Sequence, residues 1–153
     1  MSTRSAIGIE NSDGTITGIY CHWDGYPSHN GRILFEHYKT ERRVRRLMNL
    51  GDLSSLGKYI GRKHEFNNPY PFMDPQYNQW ETKFKGHCTA YKRDRNEDGT
   101  EASEYRSVQH FVNALHRAGC EYYYVFRNGE WYFTTDCNNA NLALLFGTGG
   151  SEE

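Results

Sequence analysis

The chain has no apolar run approaching the ~18 consecutive residues of a membrane span. Its opening, Met1-Ser2-Thr3-Arg4-Ser5, also lacks the apolar segment of a secretory signal. These absences predict a cytoplasmic protein without a membrane partner. Cysteine is sparse: Cys21, Cys88, Cys120 and Cys137 stand singly with no C-x-x-C spacing. That pattern argues against a disulfide frame or a zinc site and predicts reduced, mostly buried thiols. Charge of one sign is missing as well. With 18 basic and 19 acidic residues the net charge is -1, too little field to draw the protein to a phosphate backbone, so non-specific nucleic-acid binding is not expected. Nor is there a Walker loop, a G-x-G-x-x-G after a strand, a G-x-S-x-G elbow or an H-E-x-x-H. Their absence argues against the familiar nucleotide-using enzymes, hydrolases and zinc proteases, and no cofactor or metal is expected.

What the chain does have is aromatic side chains, 15% of its 153 residues. Mean hydropathy is low, at -0.88, but each buried aromatic ring removes a large area from water, so aromatic burial can sustain a core. The length fits one domain, expected over residues 1–147 with 148–153 as a flexible tail.

The densest chemistry is Tyr20-Cys21-His22-Trp23-Asp24-Gly25-Tyr26. It ends an alternating, strand-like run, and alternate residues of a strand share a face. Ile19, Cys21 and Trp23 are expected on the core side. Tyr20 and His22, with Asp24 if the strand persists, are expected on the other, where a carboxylate near an imidazole raises its pKa and fixes its tautomer. The competing account is a hydrogen-bonded strand end that orders the following loop.

Residues 5–10 and 15–23 read as a β-hairpin turning at Asn11-Ser12-Asp13-Gly14. Residues 32–38 and 40–50 read as two helices, the second capped by Thr40 and stopped by Gly51. Arg42, Arg43, Arg45 and Arg46 on it are better read as a solvated face than as an anion patch. A helical turn is expected near 54–59. Residues 63–80 show neither period, and Phe66, Tyr70, Phe72, Tyr77 and Trp80 in that segment can line a partner surface or fold over the sheet. Residues 87–92 read as a strand. Asp94, Asn96, Asp98 and Gly99 match the start of a calcium loop, but Tyr105 stands where its bidentate Glu is required, so a flexible acidic turn is expected. Ser107 caps a helix closed by Gly119. Residues 121–127 and 131–136 form a hairpin about Asn128-Gly129, the first strand central because both its faces are apolar. Residues 138–146 read as a final helix stopped by Gly147. The fold expected is α+β, an antiparallel sheet of about five strands with helices packed mainly on one face.

Ser2-Thr3-Arg4-Ser5, the Tyr20–Tyr26 stretch, His29-Asn30-Gly31, Gly51-Asp52-Leu53-Ser54-Ser55-Leu56, residues 91–101 and the turn near Asn128 together resemble a family of small uncharacterised proteins of tailed bacteriophages and mobile elements. The resemblance covers most of the chain and implies a context, a phage accessory protein in the host bacterial cytoplasm, without bringing an activity. By class-level association such proteins inhibit a host factor or sequester a defence signal. Aromatics with tyrosine and arginine suit interfaces and base stacking. The leading expectation is therefore a binding protein for a host protein or a nucleotide-like ligand, its site formed by Tyr20, His22, Trp23, Asp24, Tyr26, His29 and Arg32, with homo-oligomerisation left open. The alternative is a small hydrolase or nucleotide-processing enzyme with His22 as general base and Asp24 as its orienting partner.

Overall fold

Two strands that are apolar on both faces organise the molecule. The computed structural model describes residues 2–146, so the expected tail and the Gly147 stop lie outside the described residues. Within them the chain runs β1 (Arg4–Glu10), β2 (Ile16–Cys21), a π-helical turn (Pro27–Gly31), α1 (Arg32–His37), α2 (Glu41–Leu50), β3 (Leu53–Ser55), α3 (Pro75–Lys83), β4 (Thr89–Ala90), α4 (Tyr91–Arg95), β5 (Ser103–Tyr105), α5 (Val108–Arg117), β6 (Cys120–Arg127), β7 (Glu130–Thr134) and β8 (Ala143–Leu144). The sheet order is β4-β3-β2-β1-β6-β7-β8, with β5 paired to β2 beside β3.

The fold is broadly α+β, but the sheet is larger than expected and mixed. β1 and β6 run parallel, Ser5 opposite Tyr122 and Ile9 opposite Phe126, and β2 meets β3 in parallel as well. Parallel pairing at the centre fits the residues there. Ala6, Ile7 and Ile9 of β1 and Tyr123, Tyr124, Val125 and Phe126 of β6 are all buried, and continuous apolar strands are the kind found in parallel positions covered on both faces. The expected central place of β6 therefore holds.

Both faces are covered, which corrects the expectation of helices mainly on one. Ile7, Ile9, Ile19, Tyr124 and Phe126 pack with Leu34 and Tyr38 at α1 and with Val44, Leu47 and Met48 of α2. Ala6, Ile16, Tyr123 and Val125 pack with Phe111, Val112 and Leu115 of α5. The helix signals were local and held: Thr40 accepts from the Arg43 N–H and Ser107 from the His110 N–H, both at 3.2 Å. Asn128 and Gly129 take φ of 51° and 81°, the two positive values a tight hairpin turn requires.

Elsewhere tertiary contacts decided. The helical turn expected near 54–59 is instead β3 and its extension. The strand expected over 87–92 shrinks to Thr89–Ala90 before α4 begins. The final helix expected over 138–146 is replaced by β8, which pairs Leu144 with Tyr132 of β7.

The α5 face depends on a pair of missing side chains. Gly8 and Gly18 lie opposite each other on β1 and β2. A Cβ on Gly18 would stand 2.4 Å from Phe111 Cε1, and one on Gly8 would stand 3.2 Å from Cζ of the same ring. The two glycines form the notch into which the helix drives its aromatic ring. Gly18→Ala is expected to destabilise the protein by about 1–3 kcal/mol through overpacking, measured as a lower midpoint in denaturant unfolding. Adding Phe111→Leu to it should recover part of the loss.

Candidate functional site

The strand parity that was to gather Tyr20, His22 and Asp24 holds for two residues and then breaks. Tyr20 Oη lies 2.8 Å from His22 Nδ1. Burial holds the Tyr20 phenol above its ordinary pKa, and burial, then the Arg4 guanidinium, holds the His22 imidazole below its own. Both shifts favour the neutral forms, so the contact is a hydrogen bond between an uncharged phenol and an uncharged imidazole. Beyond Cys21 the N–H groups of two successive residues, His22 and Trp23, both turn to the same neighbour, bonding Leu53 O and Ser54 O at 3.0 Å. In a regular strand successive N–H groups point to opposite sides, so alternation ends here. Asp24 then adopts a left-handed conformation, φ 57°.

Two corrections follow. Among the described residues no hydrogen bond or ion pair joins His22 to Asp24, whose carboxylate instead accepts from the Tyr26 hydroxyl at 3.1 Å. Trp23, expected in the core, is 45% exposed, its ring edge-on to His22 with centroids 4.8 Å apart.

A buried carboxamide holds this turn on the sheet. Asn30 is fully buried, and its Nδ2 donates to the Trp23 carbonyl at 3.1 Å, to Ser5 Oγ at 3.3 Å and to Cys21 Sγ at 3.4 Å. Gly25 closes the same knot: its N–H reaches Thr3 O at 2.8 Å, and its carbonyl accepts from the buried Tyr124 hydroxyl at 2.6 Å. A Cβ on Gly25 would lie 2.7 Å from that of Ser5. Most of the motif that dominates the sequence is a fastening between β1, β2 and β6.

A concave feature lies alongside. A cleft of about 780 Å³ is lined by Asp24, His29 and His37, by Ser55 at the end of β3 and Leu56 to Lys58 after it, and by His64, Trp80, Phe84, Lys85, His87 and Thr89. Its volume falls within the usual range for small-molecule sites. His64 stacks on Phe84 with centroids 4.7 Å apart and planes at 15°. Trp80 Nε1 and His87 Nδ1 are buried without a hydrogen-bond partner. Burial, then His64, Arg93 and Arg62, holds the His87 pKa below its ordinary value.

Of the seven residues expected to form a site, Asp24 and His29 line this cleft. Tyr20 packs on the α5 side of the sheet, and His22, Trp23 and Tyr26 are not among the lining residues. Arg32 is engaged elsewhere, pairing with Glu36 at 3.4 Å and covering the Phe146 ring at 4.3 Å.

The far wall comes from the segment that showed no periodicity. Asp74 caps α3 by accepting from Gln76 N–H at 2.8 Å, and Pro75 occupies the first turn. That Asp-Pro start was the readable signal for the helix carrying Trp80. Of those aromatics Phe66 and Trp80 line the cleft, whereas Phe72 is 76% exposed.

Asp94 is not part of a flexible acidic turn. It is buried, accepting from the His64 and Ala90 N–H groups at 3.1 and 2.8 Å and from the Arg93 guanidinium. Those bonds hold the chain around His64 against β4, and they occupy the carboxylate oxygens that Asp94 would offer a calcium ion. Among the described residues no group of three or more His, Cys, Asp or Glu side chains is disposed to hold a metal. Cys21, Cys88 and Cys120 are buried free thiols, and Cys137 is half-buried. No helix among the described residues is long and apolar enough to cross a membrane.

No family model, no curated protein and no solved structure matches the chain.

Asp52 bridges an interruption along one side of β2. β2 pairs with β5 up to Gly18 and with β3 at Cys21, and the Asp52 carboxylate fills the gap between them by accepting the Tyr20 N–H at 2.9 Å. Burial pushes its pKa up to about 6. The folded state therefore prefers the protonated acid, so this group's contribution to stability is fullest below pH ~4 and is lost as pH rises through about 6. Asp52→Asn retains the acceptor without the charge. Its stability relative to the parent is expected to improve steadily from pH 4 to pH 7 in thermal unfolding, whereas a pH-independent difference would contradict the assignment.

Proposed function

We propose that the protein is a capture protein that holds a small nucleotide-like ligand in the cleft between α3 and the β3–β4 edge. Together with the phage resemblance, this reading makes it a host-takeover or counter-defence factor that sequesters a signal in the host bacterial cytoplasm. The observation that carries it is the makeup of the cleft wall. Trp80 and Phe84 offer aromatic surface for a base, while Lys58 and Lys85 line the same cleft and supply positive charge to meet phosphate.

The hydrolase alternative has less support. It needed Asp24 to orient His22, and Asp24 bonds Tyr26 instead. The other acid–imidazole contact, Asp94 Oδ1 to His64 Nδ1 at 3.7 Å, is too long for a hydrogen bond.

The test is to incubate the protein with a metabolite extract of the bacterial host, wash, denature and identify what is released by mass spectrometry. An intact, phosphate-bearing heteroaromatic compound is expected, and Trp80→Ala or the pair Lys58→Gln and Lys85→Gln should lower its recovery about tenfold, ~1.4 kcal/mol of binding. Recovery of nothing, or turnover of the compound without retention, would contradict capture.

A further inference from the structure

A neutral imidazole carries one N–H and one lone pair, and its neighbours decide which nitrogen bears which. Two histidines of the cleft have that choice made for them. At His29, Nδ1 lies 3.1 Å from Asn30 Oδ1. Asn30 has already fixed its own orientation, because its Nδ2 bonds the Trp23 carbonyl and a carbonyl only accepts. Oδ1 is then an acceptor and His29 Nδ1 the donor, which leaves the lone pair on Nε2, on the ring edge away from the buried Asn30. At His64, Nδ1 lies 2.8 Å from the Arg62 carbonyl, so it too is the donor. Its Nε2 lone pair faces Thr89 Oγ1 at 3.4 Å. The Thr89 hydroxyl donates there and keeps its own oxygen lone pairs for the cleft it lines.

We infer that the cleft recognises its ligand by accepting hydrogen bonds, with His29 Nε2 and Thr89 Oγ1 receiving the N–H groups of a nucleobase whose phosphate lies toward Lys58 and Lys85. This deepens the capture reading and rests on it. His29 is the binding residue. Asn30 and His64 are positioning residues: each holds an acceptor in one protonation geometry before the ligand arrives, so none of the binding free energy goes to selecting a tautomer. An acceptor-presenting wall also discriminates sharply, since a base stripped of its N–H groups leaves those acceptors buried against carbon.

Two measurements test this in the intact protein. Long-range proton–nitrogen NMR of the imidazoles is expected to show His29 and His64 protonated on Nδ1 with Nε2 bare, and an Nε2–H tautomer at His29 would overturn the inference. Calorimetry then compares AMP with N6,N6-dimethyl-AMP and CMP with N4,N4-dimethyl-CMP, the second member of each pair lacking base N–H donors. At least one parent nucleotide is expected to bind, about tenfold or more above its methylated partner. His29→Gln, whose carbonyl oxygen reaches toward the Nε2 position, should keep much of that preference, His29→Phe should reduce it, and His29→Phe combined with Thr89→Val should abolish it. Equal binding of parent and methylated nucleotides would overturn the acceptor reading while leaving capture standing. No binding of either pair would remove the nucleotide class and the inference with it.

Discussion

The Asn30 carboxamide is the constraint on which the rest of the site depends. A buried amide must satisfy its donors and its acceptor, since leaving one unpaired costs about 1–3 kcal/mol. Asn30 does so by reaching Ser5 on β1, Cys21 at the end of β2, the Trp23 carbonyl and His29. These partners come from four points on the chain, and one side chain brings them together only in one arrangement. The aromatic turn is thereby fixed to the central strands, and His29 is delivered to the cleft with a defined tautomer. Tyr124 adds a second tie, its hydroxyl crossing from β6 to the Gly25 carbonyl.

The cleft combines this rigid wall with one built by long-range hydrogen bonds. Asp94 accepts from the backbone of His64, thirty residues away in the chain, and from Ala90 at the start of α4. Arg93 reaches the carbonyls of Ile60 and Cys88. A segment poor in regular structure is thus held by charge-assisted bonds to its backbone, which are stronger than neutral ones. Phe84 and Trp80 close over it, each within 6.0 Å of the His64 ring centroid. Folding and site formation are the same event for these residues: Asp94 and Arg93, which do not line the cleft, hold the backbone that presents His64, His87 and Thr89 to it.

Much of the fold was legible because its signals are local. Thr40 and Ser107 as caps, the 3.6-residue spacing of Val108, Phe111, Val112 and Leu115, and Asn128-Gly129 between aromatic strands each needed only a few neighbouring residues. What was not legible depends on contacts far apart in sequence. The parallel pairing of β1 with β6 is set by both strands being buried on two faces, and β3, β5 and β8 are too short to carry a period of their own. The site divided in the same way. Tyr20 and His22 do share a face, as alternation requires. Asp24 parts from them because two successive amides bond to β3, and nothing in the local sequence announces that. His64 stood in a stretch without periodicity, His87 and Thr89 lay in the strand read over 87–92 with no local sign that it borders a cleft, and Asp94 was hidden inside a run of charges that looked solvated.

Native-state hydrogen exchange, resolved by residue, tests the claim that the turn after β2 is part of the core. The amides of Trp23, Gly25 and Asn30 bond to Ser54, Thr3 and Asp24, and the account predicts that they exchange only through the global opening that also exposes Ile7 and Val125. Exchange of those three amides at loop-like rates, with β1 and β6 still protected, would show that Asn30 fastens nothing and would contradict the account.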